Sequence, residues 1–225
     1  MPSSLPARTL ALVLLGALAG CAETAPELTA TPPPGTTPWI VASSGARSAD
    51  ARPSSSDPAP LTEGTVTGTF LPYPESTRAI TYDPKVVPAG ATVQVTVSKT
   101  ADGARVRLAV SGMVPKRAYG AHLHTQPCTA APDQAGPHYQ HNPDPKAAAS
   151  PPSVDPAYAN PRNEVWLDFT ADTQGSATAA ATEDWMFDET SPPRSLIVHA
   201  EQTRTAAGKA GTAGPRVACL TLATP

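Results

Sequence analysis

Residues 91–110 read ATVQVTVSKTADGARVRLAV and contain two runs in which polar and apolar side chains alternate. Alternation with a period of two is typical of a β-strand that has one face buried and the other in solvent. Thr100-Ala-Asp-Gly103, between the two runs, is rich in residues that favour a tight turn. This stretch therefore predicts two neighbouring strands, 91–97 and 104–110, joined by a hairpin turn.

Similar short runs lie on both sides of this hairpin, and Asp172-Thr-Gln-Gly175 predicts a second tight turn. Seven or eight short strands separated by turns indicate an all-β domain, an antiparallel sandwich or a flattened barrel. Residues 125–163 break this rhythm, and a connection of that length in a compact domain is usually functional or disordered. The further predicted strands are 65–70, 164–169, 176–182, 196–200 and 216–222.

Four of the five histidines lie in three short motifs: His122-Leu-His124, Gly136-Pro-His138 and Ile197-Val-His199. Side chains at i and i+2 of a strand project from the same face, so His122 and His124 are expected to point together. An all-nitrogen set without a nearby free thiolate favours copper or zinc. The alternative is a group of satisfied core histidines, but cores rarely place several histidines on one strand face.

The N-terminus has the features of an export signal. Arg8 is followed by an apolar stretch, 10–18, which is too short to span a bilayer. Leu18-Ala-Gly-Cys21 resembles a bacterial lipobox, in which the cysteine becomes the lipidated N-terminus. We therefore expect a signal peptide at 1–20 and a protein anchored at Cys21 to the outer face of the bacterial cell membrane. The alternative is an ordinary signal peptide with a chance cysteine.

Residues 21–62 are rich in Pro and Ser and predict an extended, disordered tether. Residues 63–225 are long enough for one domain with a sizeable core, and no segment in them is long and apolar enough to cross a bilayer. The net charge of −3 and the absence of a Lys/Arg run argue against a nucleic-acid partner.

Lipidation of Cys21 would leave Cys128 and Cys219 as the two remaining cysteines. Two cysteines in an oxidising compartment predict one disulfide, although two buried free thiols are the alternative.

Taken in order, these motifs resemble the copper/zinc superoxide dismutases, specifically their exported bacterial branch. The resemblance covers most of residues 63–222 and implies an eight-stranded Greek-key sandwich with long metal-site loops. The matching segments are Gly120-Ala-His-Leu-His124, Cys128, Gly136-Pro-His138-Tyr139, Ser195-Leu-Ile-Val-His199 and Gly214-Pro-Arg216-Val-Ala-Cys219.

The resemblance also implies roles for individual residues. Arg216 would guide the anionic substrate, superoxide, towards the metal, and Cys128 and Cys219 would form the family disulfide. The family's bridging histidine, which also supplies a proton during turnover, corresponds to His138. The implied copper ligands are His122, His124, His138 and His199.

The chain departs from the family at the zinc site. After His138 only His141 remains before His199, and its spacing from His138 is shorter than in the family. We expect His141 to be a loop residue; the alternative is a weak extra metal ligand. Four zinc ligands cannot be assembled, and the chain looks more like the copper-only members. There a carboxylate can hold the former bridging histidine; Glu164 is our candidate and Asp168 the second choice. The alternative for Glu164 is a solvated residue at the start of a strand.

The resemblance predicts an enzyme that disproportionates superoxide into oxygen and hydrogen peroxide. Two other classes use the same features: a copper-buffering lipoprotein without important turnover, and a sandwich that has lost its metal and binds a partner. Steering would rest on Arg216, with Lys209 and Arg204 as further candidates; the alternative is that these two are ordinary surface charges. Family members occur as monomers and dimers, so the oligomeric state stays open.

Overall fold

The structure is a computed structural model that describes residues 61–148 and 151–223. The predicted signal peptide, the lipidation site Cys21 and the tether up to residue 60 lie outside these residues. Among the residues that are described, no helix combines the length and apolar character needed to cross a membrane.

Nine β-strands and one 3-10 helix form the regular structure of the described residues, so the all-β prediction is confirmed. Two antiparallel sheets face each other as a flattened sandwich, in the orders β1-β3-β4-β7 and β2-β9-β8-β5-β6. The elements are β1 Gly64–Thr69, β2 Ala79–Thr81, β3 Thr92–Lys99, β4 Ala104–Ser111, β5 Ala118–His124, the 3-10 helix Pro132–Ala135, β6 Phe169–Thr170, β7 Ala177–Glu183, β8 Ser195–His199 and β9 Arg216–Thr221.

The predicted hairpin forms as expected. Strands β3 and β4 pair in antiparallel register from Thr92↔Ser111 to Lys99↔Ala104. The turn is closed by a hydrogen bond from the Thr100 N–H to the Gly103 carbonyl at 2.8 Å. Alternate valines of β3 face inward, so the period of two in the sequence reports one buried face.

The core lies between the two sheets and contains large apolar side chains such as Phe70, Tyr119, Leu123 and Leu196. Strand β8 is buried along its whole length, and β5 along all but its first residue. One face of each strand packs into the core. The opposite face is covered by the segments that follow these strands, and this covered face carries the histidines.

Two details differ from the expected strands. The predicted strand 164–169 is wrong: only Phe169–Thr170 pairs as β6, while Glu164 and Trp166 form single bridges to Gln140 and His122. The chain there follows the long 125–163 segment instead of extending a sheet. Strand β2 was not expected, because three residues are too few to display an alternating pattern.

Candidate metal centre

The register of the five-stranded sheet places three histidines on one face. Strand β5 pairs with β8 so that Gly120 lies opposite His199 and His122 lies opposite Ile197. Positions 120, 122 and 124 share a face of β5, and His199 projects from the same face of the sheet. Leu123 and Val198 point the other way, into the core.

His138 reaches the same place from the long segment after β5. This segment turns back so that His138 forms an antiparallel bridge with His124. The Tyr139 N–H donates to the Leu123 carbonyl at 2.8 Å, and the Thr125 N–H donates to the Pro137 carbonyl at 3.1 Å. These two bonds fix the backbone on both sides of His138 beside the end of β5.

The four histidines converge as one group. Each of His122, His124, His138 and His199 offers one ring nitrogen, and these nitrogens all lie within 4.8 Å of one another. His122 and His124 are fully buried, while the side chain of His138 is 12% exposed and gives the group its contact with solvent. It is the one group of this kind among the residues that the structure describes.

Burial keeps three of these imidazoles, those of His122, His124 and His199, neutral. Desolvation, reinforced by the neighbouring histidines, lowers the pKa of His122 and of His124 well below the ordinary value. The same effects lower the pKa of His199 to about 3. Neutral imidazole is the form that binds a metal, so these side chains are ready to act as ligands near neutral pH.

Two of the ring orientations are fixed by main-chain carbonyl groups. Nδ1 of His124 lies 2.9 Å from the Gly136 oxygen, and Nδ1 of His199 lies 3.2 Å from the Gly214 oxygen. A carbonyl can only accept, so each Nδ1 must carry the proton and each Nε2 keeps its lone pair. Both Nε2 atoms are buried without a hydrogen-bond partner in the described part of the chain.

Glu164 fixes His138 in the same sense. Its side chain is 2% exposed, and its carboxylate lies 2.8 Å from Nδ1 of His138. It also accepts hydrogen bonds from the Trp166 indole at 2.7 Å and the Gln140 amide at 2.8 Å. An ionised carboxylate that accepts three donors leaves Nε2 of His138 as the free nitrogen.

Asp168, the second choice for this role, lies elsewhere. Its carboxylate accepts hydrogen bonds from the main chain and hydroxyl of Thr203, and is 3.6 Å from Nε2 of His122.

The remaining ring nitrogen, Nδ1 of His122, is also buried without a partner among the described residues. Buried polar atoms are normally paired, so three unpartnered nitrogens in one group indicate a missing common partner. A metal that prefers imidazole fits this set.

Arg216 stands at the edge of the group. Its guanidinium donates to the Gly136 carbonyl at 2.7 Å and to the Pro132 carbonyl at 3.0 Å. Together with His138 and His199 it lines an open cavity of about 730 Å³. An anion that enters this cavity therefore meets a held positive charge beside the exposed edge of the histidine group.

The other predicted charges and the fifth histidine lie outside the group. Arg204 is paired with Glu201 at 2.5 Å, and Lys209 lies on the rim of the same cavity. His141 is exposed and stacks on Trp185, with ring centroids 4.8 Å apart. The structure therefore does not bring His141 into the four-histidine group.

The predicted disulfide is confirmed. Cys128 and Cys219 are bonded and close a separation of 91 residues. The bridge lies in a small buried cluster with Ile197 and Ala135. It joins the start of the segment that carries His138 to strand β9, which carries Arg216.

Several contacting groups were not found from the sequence. The Gly136 and Gly214 carbonyls are main-chain atoms, which no residue type reveals. Thr203 lies in an ordinary polar stretch. Trp166 is the exception, because an indole N–H two residues from Glu164 could have been considered as a donor to its carboxylate.

A family model described as copper/zinc superoxide dismutase (SODC) matches residues 90–221. Among solved structures, the Cu/Zn superoxide dismutase from Brucella abortus is 19% identical, with 70% of this chain and 99% of that chain covered and a TM-score of 0.43. A SOD-like protein from Bacillus subtilis is 12% identical, with 64% and 95% covered and a TM-score of 0.41. No curated protein matches the sequence.

Proposed function

This chain belongs to the copper/zinc superoxide dismutase family, and on that premise we propose that it is a copper-dependent superoxide dismutase of the cell envelope. The observation that carries the proposal is the group of four ring nitrogens within 4.8 Å of one another, three of them buried and without a partner among the described residues. His122, His124, His138 and His199 would hold the copper.

Copper is the metal that suits both the ligands and the reaction. Imidazole nitrogen binds copper and zinc well, but zinc has no redox chemistry. A copper ion held there would supply one-electron chemistry, taking an electron from one superoxide and returning it to the next. The second half of the reaction also consumes two protons and yields hydrogen peroxide.

Arg216 prepares the approach of the substrate. Superoxide is a small anion, and a positive charge in a cavity raises the rate of encounter. The three main-chain carbonyls that accept from Arg216, those of Pro132, Asp133 and Gly136, hold the guanidinium in place without neutralising it. The cavity that it lines opens at His138, the most exposed of the four histidines.

Glu164 would serve in place of zinc. In a zinc-containing member of the family, the bridging histidine also binds the zinc ion, which holds it in place. Here the buried Glu164 carboxylate occupies the Nδ1 side of His138 at 2.8 Å. We therefore infer a copper-only centre, in which hydrogen bonds from Gln140 and Trp166 keep the carboxylate in position.

We also propose that the protein is exported, lipidated and anchored to the membrane. The lipobox-like Leu18-Ala-Gly-Cys21 motif and the Pro/Ser-rich stretch to residue 62 support export, lipidation at Cys21 and anchoring on the outer face of the membrane. In a bacterial host fed labelled palmitate, the full chain should carry label and sediment with membranes. The Cys21→Ala variant should lose the label, and label that persists in this variant would contradict the proposal.

The catalytic proposal is tested with the protein loaded in the presence of both copper and zinc. We expect about one copper per chain, no bound zinc, and superoxide turnover that His122→Ala abolishes. His141→Ala is the matched control, because it removes a histidine of the same cavity that lies outside the group. Copper binding without turnover would favour the copper-buffering function, and stoichiometric zinc would contradict the copper-only centre.

A further inference from the structure

Strand β7 forms one edge of the four-stranded sheet and pairs only with β4. The two strands pair without a bulge, from Ala104↔Glu183 to Val110↔Ala177. Every second residue of such a strand turns its N–H and carbonyl groups away from its neighbour. In the described part of the chain, no main-chain hydrogen bond joins residues 177–182 to anything except β4. Strand β7 therefore presents a row of unpaired main-chain donors and acceptors.

The side chains of β7 show that this edge is open to solvent. On β3 and β4 the residues that face the core are almost completely buried, and Val95 and Val106 are examples. The corresponding residues of β7 are Ala177, Ala179 and Ala181, which pack against the same core but are only half-buried. Because no strand lies beyond β7 in the four-stranded sheet, the outer sides of these alanines remain exposed.

The other edges of the two sheets are covered or short. Strand β1, the opposite edge of the same sheet, is preceded by Leu61, whose N–H donates to the Leu222 carbonyl at 3.2 Å. Within β1, a Cβ at Gly68 would lie 2.6 Å from that of Ala79, so β1 packs directly on the second sheet. Strands β2 and β6 contain only three and two residues. Among the residues that the structure describes, β7 is therefore the one long open edge.

The sequence of β7 suits pairing with a second copy of itself. Exposed sheet edges are usually protected by charged side chains, by proline or by a bulge, and the first six residues of β7 contain none of these. Thr178-Ala-Ala-Ala-Thr182 reads the same in both directions. In an antiparallel pair centred on Ala180, Thr178 of each copy therefore lies opposite Thr182 of the other. Ala179 likewise lies opposite Ala181.

The same sheet already contains a contact of this kind. Thr65 on β1 and Thr96 on β3 lie opposite each other on the outer face, with their hydroxyl oxygens 2.9 Å apart. Thr178 and Thr182 are exposed on that same face of β7. Cross-strand threonine pairs stabilise a sheet, and two-fold pairing of β7 would form two of them.

We propose that β7 pairs with β7 of a second copy of this chain, in antiparallel register about Ala180, so that the two four-stranded sheets become one continuous sheet. The dimer has two-fold symmetry, the commonest symmetry of protein oligomers. No like charges meet in this register, because Glu183 lies opposite Ala177. No residue of β7 lines the cavity beside the four histidines, so both cavities remain open in the dimer. This inference does not depend on the proposed function.

The first experiment measures the mass of the purified protein by light scattering over a range of concentrations. We expect twice the mass of one chain at high concentration, and dissociation on dilution. Ala180→Glu and Ala180→Lys each place two like charges opposite each other, so each variant should be monomeric. An equimolar mixture of the two variants should dimerise again. Gln94→Glu and Gln94→Lys are the matched controls, because Gln94 is exposed on the same face but lies on β3, which has a partner strand on both sides.

The second experiment tests the register by disulfide cross-linking, read on a non-reducing gel. Ala180→Cys should give a covalent dimer, because directly opposite residues lie about 4.5–5.5 Å apart, within the span of a disulfide. Thr178→Cys alone should not, because its two copies are offset by four residues, about 13 Å along the strands. A mixture of Thr178→Cys and Thr182→Cys chains should cross-link, and Gln94→Cys should not.

Several results would overturn the inference. A wild-type protein that is monomeric at every concentration reached would do so, as would a dimer that both charged Ala180 variants leave intact. Urea unfolding shows whether each charged variant folds, and the cross-linking test decides the question if one does not. Absence of a cross-link in Ala180→Cys would then show that the register is wrong. If the dimer forms as expected but the protein binds no copper, only the proposed function fails.

Discussion

Arg216 and His124 donate hydrogen bonds to the same acceptor, the carbonyl oxygen of Gly136, at 2.7 and 2.9 Å. The guanidinium and one imidazole of the histidine group are therefore positioned by a single main-chain atom. Gly136 has φ 75°, and a Cβ there would lie 2.4 Å from the Thr125 hydroxyl, so glycine is required at this position. The position of the positive charge and that of the metal site are thus linked through one peptide group.

Replacing Arg216 with Glu should slow turnover while copper stays bound. The change reverses the charge at the mouth of the cavity, and steering of this kind alters encounter rates by about 10-fold or more. We expect kcat/KM for superoxide to fall by at least about 10-fold at low ionic strength, and the loss to shrink as salt is added. Pulse-radiolysis rates and copper content measure the two effects.

Arg105→Glu is the matched control for Arg216→Glu. Arg105 is exposed on strand β4, in the sheet that carries none of the four histidines, so the same change of net charge is made away from the site. An equal loss of rate in both variants would show that overall charge, and not Arg216, governs encounter.

Glu164→Gln should weaken copper binding. The carboxylate accepts from His138, Gln140 and Trp166, and an amide offers only one oxygen for these three donors. At least one buried donor loses its partner, at a cost of about 1–3 kcal/mol. We expect copper affinity to fall by about 10-fold to 100-fold in a chelator competition. The exposed Glu189→Gln is the control, and unchanged affinity in Glu164→Gln would argue against support of His138.

Removing the disulfide should destabilise the domain strongly. The Cys128–Cys219 bond closes 91 residues, and the lost constraint on the unfolded chain corresponds to about 4–5 kcal/mol. Urea unfolding of the Cys128→Ser, Cys219→Ser double variant measures this loss. Reductant should destabilise the wild type and leave the double variant unaffected. A loss of less than about 1 kcal/mol would contradict the expectation.

Glu183 should make stability fall as the pH rises. It is 4% exposed, and burial together with the nearby Asp184 raises its pKa from the ordinary 4.5 to about 7. Between these values the folded chain holds a proton that the unfolded chain has lost, so this contribution declines from pH 4.5 to 7 and is constant above. Glu183→Gln should match the wild type near pH 4 and exceed it by about 1–3 kcal/mol at pH 8.

The difference between wild type and Glu183→Gln separates this effect from the buried histidines. The lowered pKa values of the histidines make the unfolding free energy rise with pH, because the unfolded chain binds protons that the folded chain does not bind. A difference in unfolding free energy that does not change between pH 4 and 8 would contradict the raised pKa of Glu183.

Strand periodicity made part of the site predictable. His122 and His124 could be placed on one face because a period of two is a property of any β-strand. The hairpin at 100–103 could be predicted because its turn residues and the alternation of β3 and β4 agree. The placement of His138 rested on the resemblance alone, since periodicity does not extend into an irregular segment.

Other parts of the fold and of the site could not be predicted from the sequence, and the reasons are physical. Every residue has a carbonyl group, so nothing in the sequence marks Gly136 and Gly214 as the acceptors for His124 and His199. Thr203 meets Asp168 across 35 residues, and only the packed fold brings them together. The strand expected at 164–169 failed because Glu164 and Trp166 pair with the 125–163 segment and with His122 instead of forming a ladder.

The sheet register that unites His122 with His199 joins residues 77 positions apart (199 minus 122). In an unfolded chain, His122 and His124 are the only two of the four histidines that lie within two residues of each other. We therefore expect a metal ion to bind tightly only after strands β5 and β8 have paired, late in folding. The site should accordingly be empty in any chain whose five-stranded sheet has not formed.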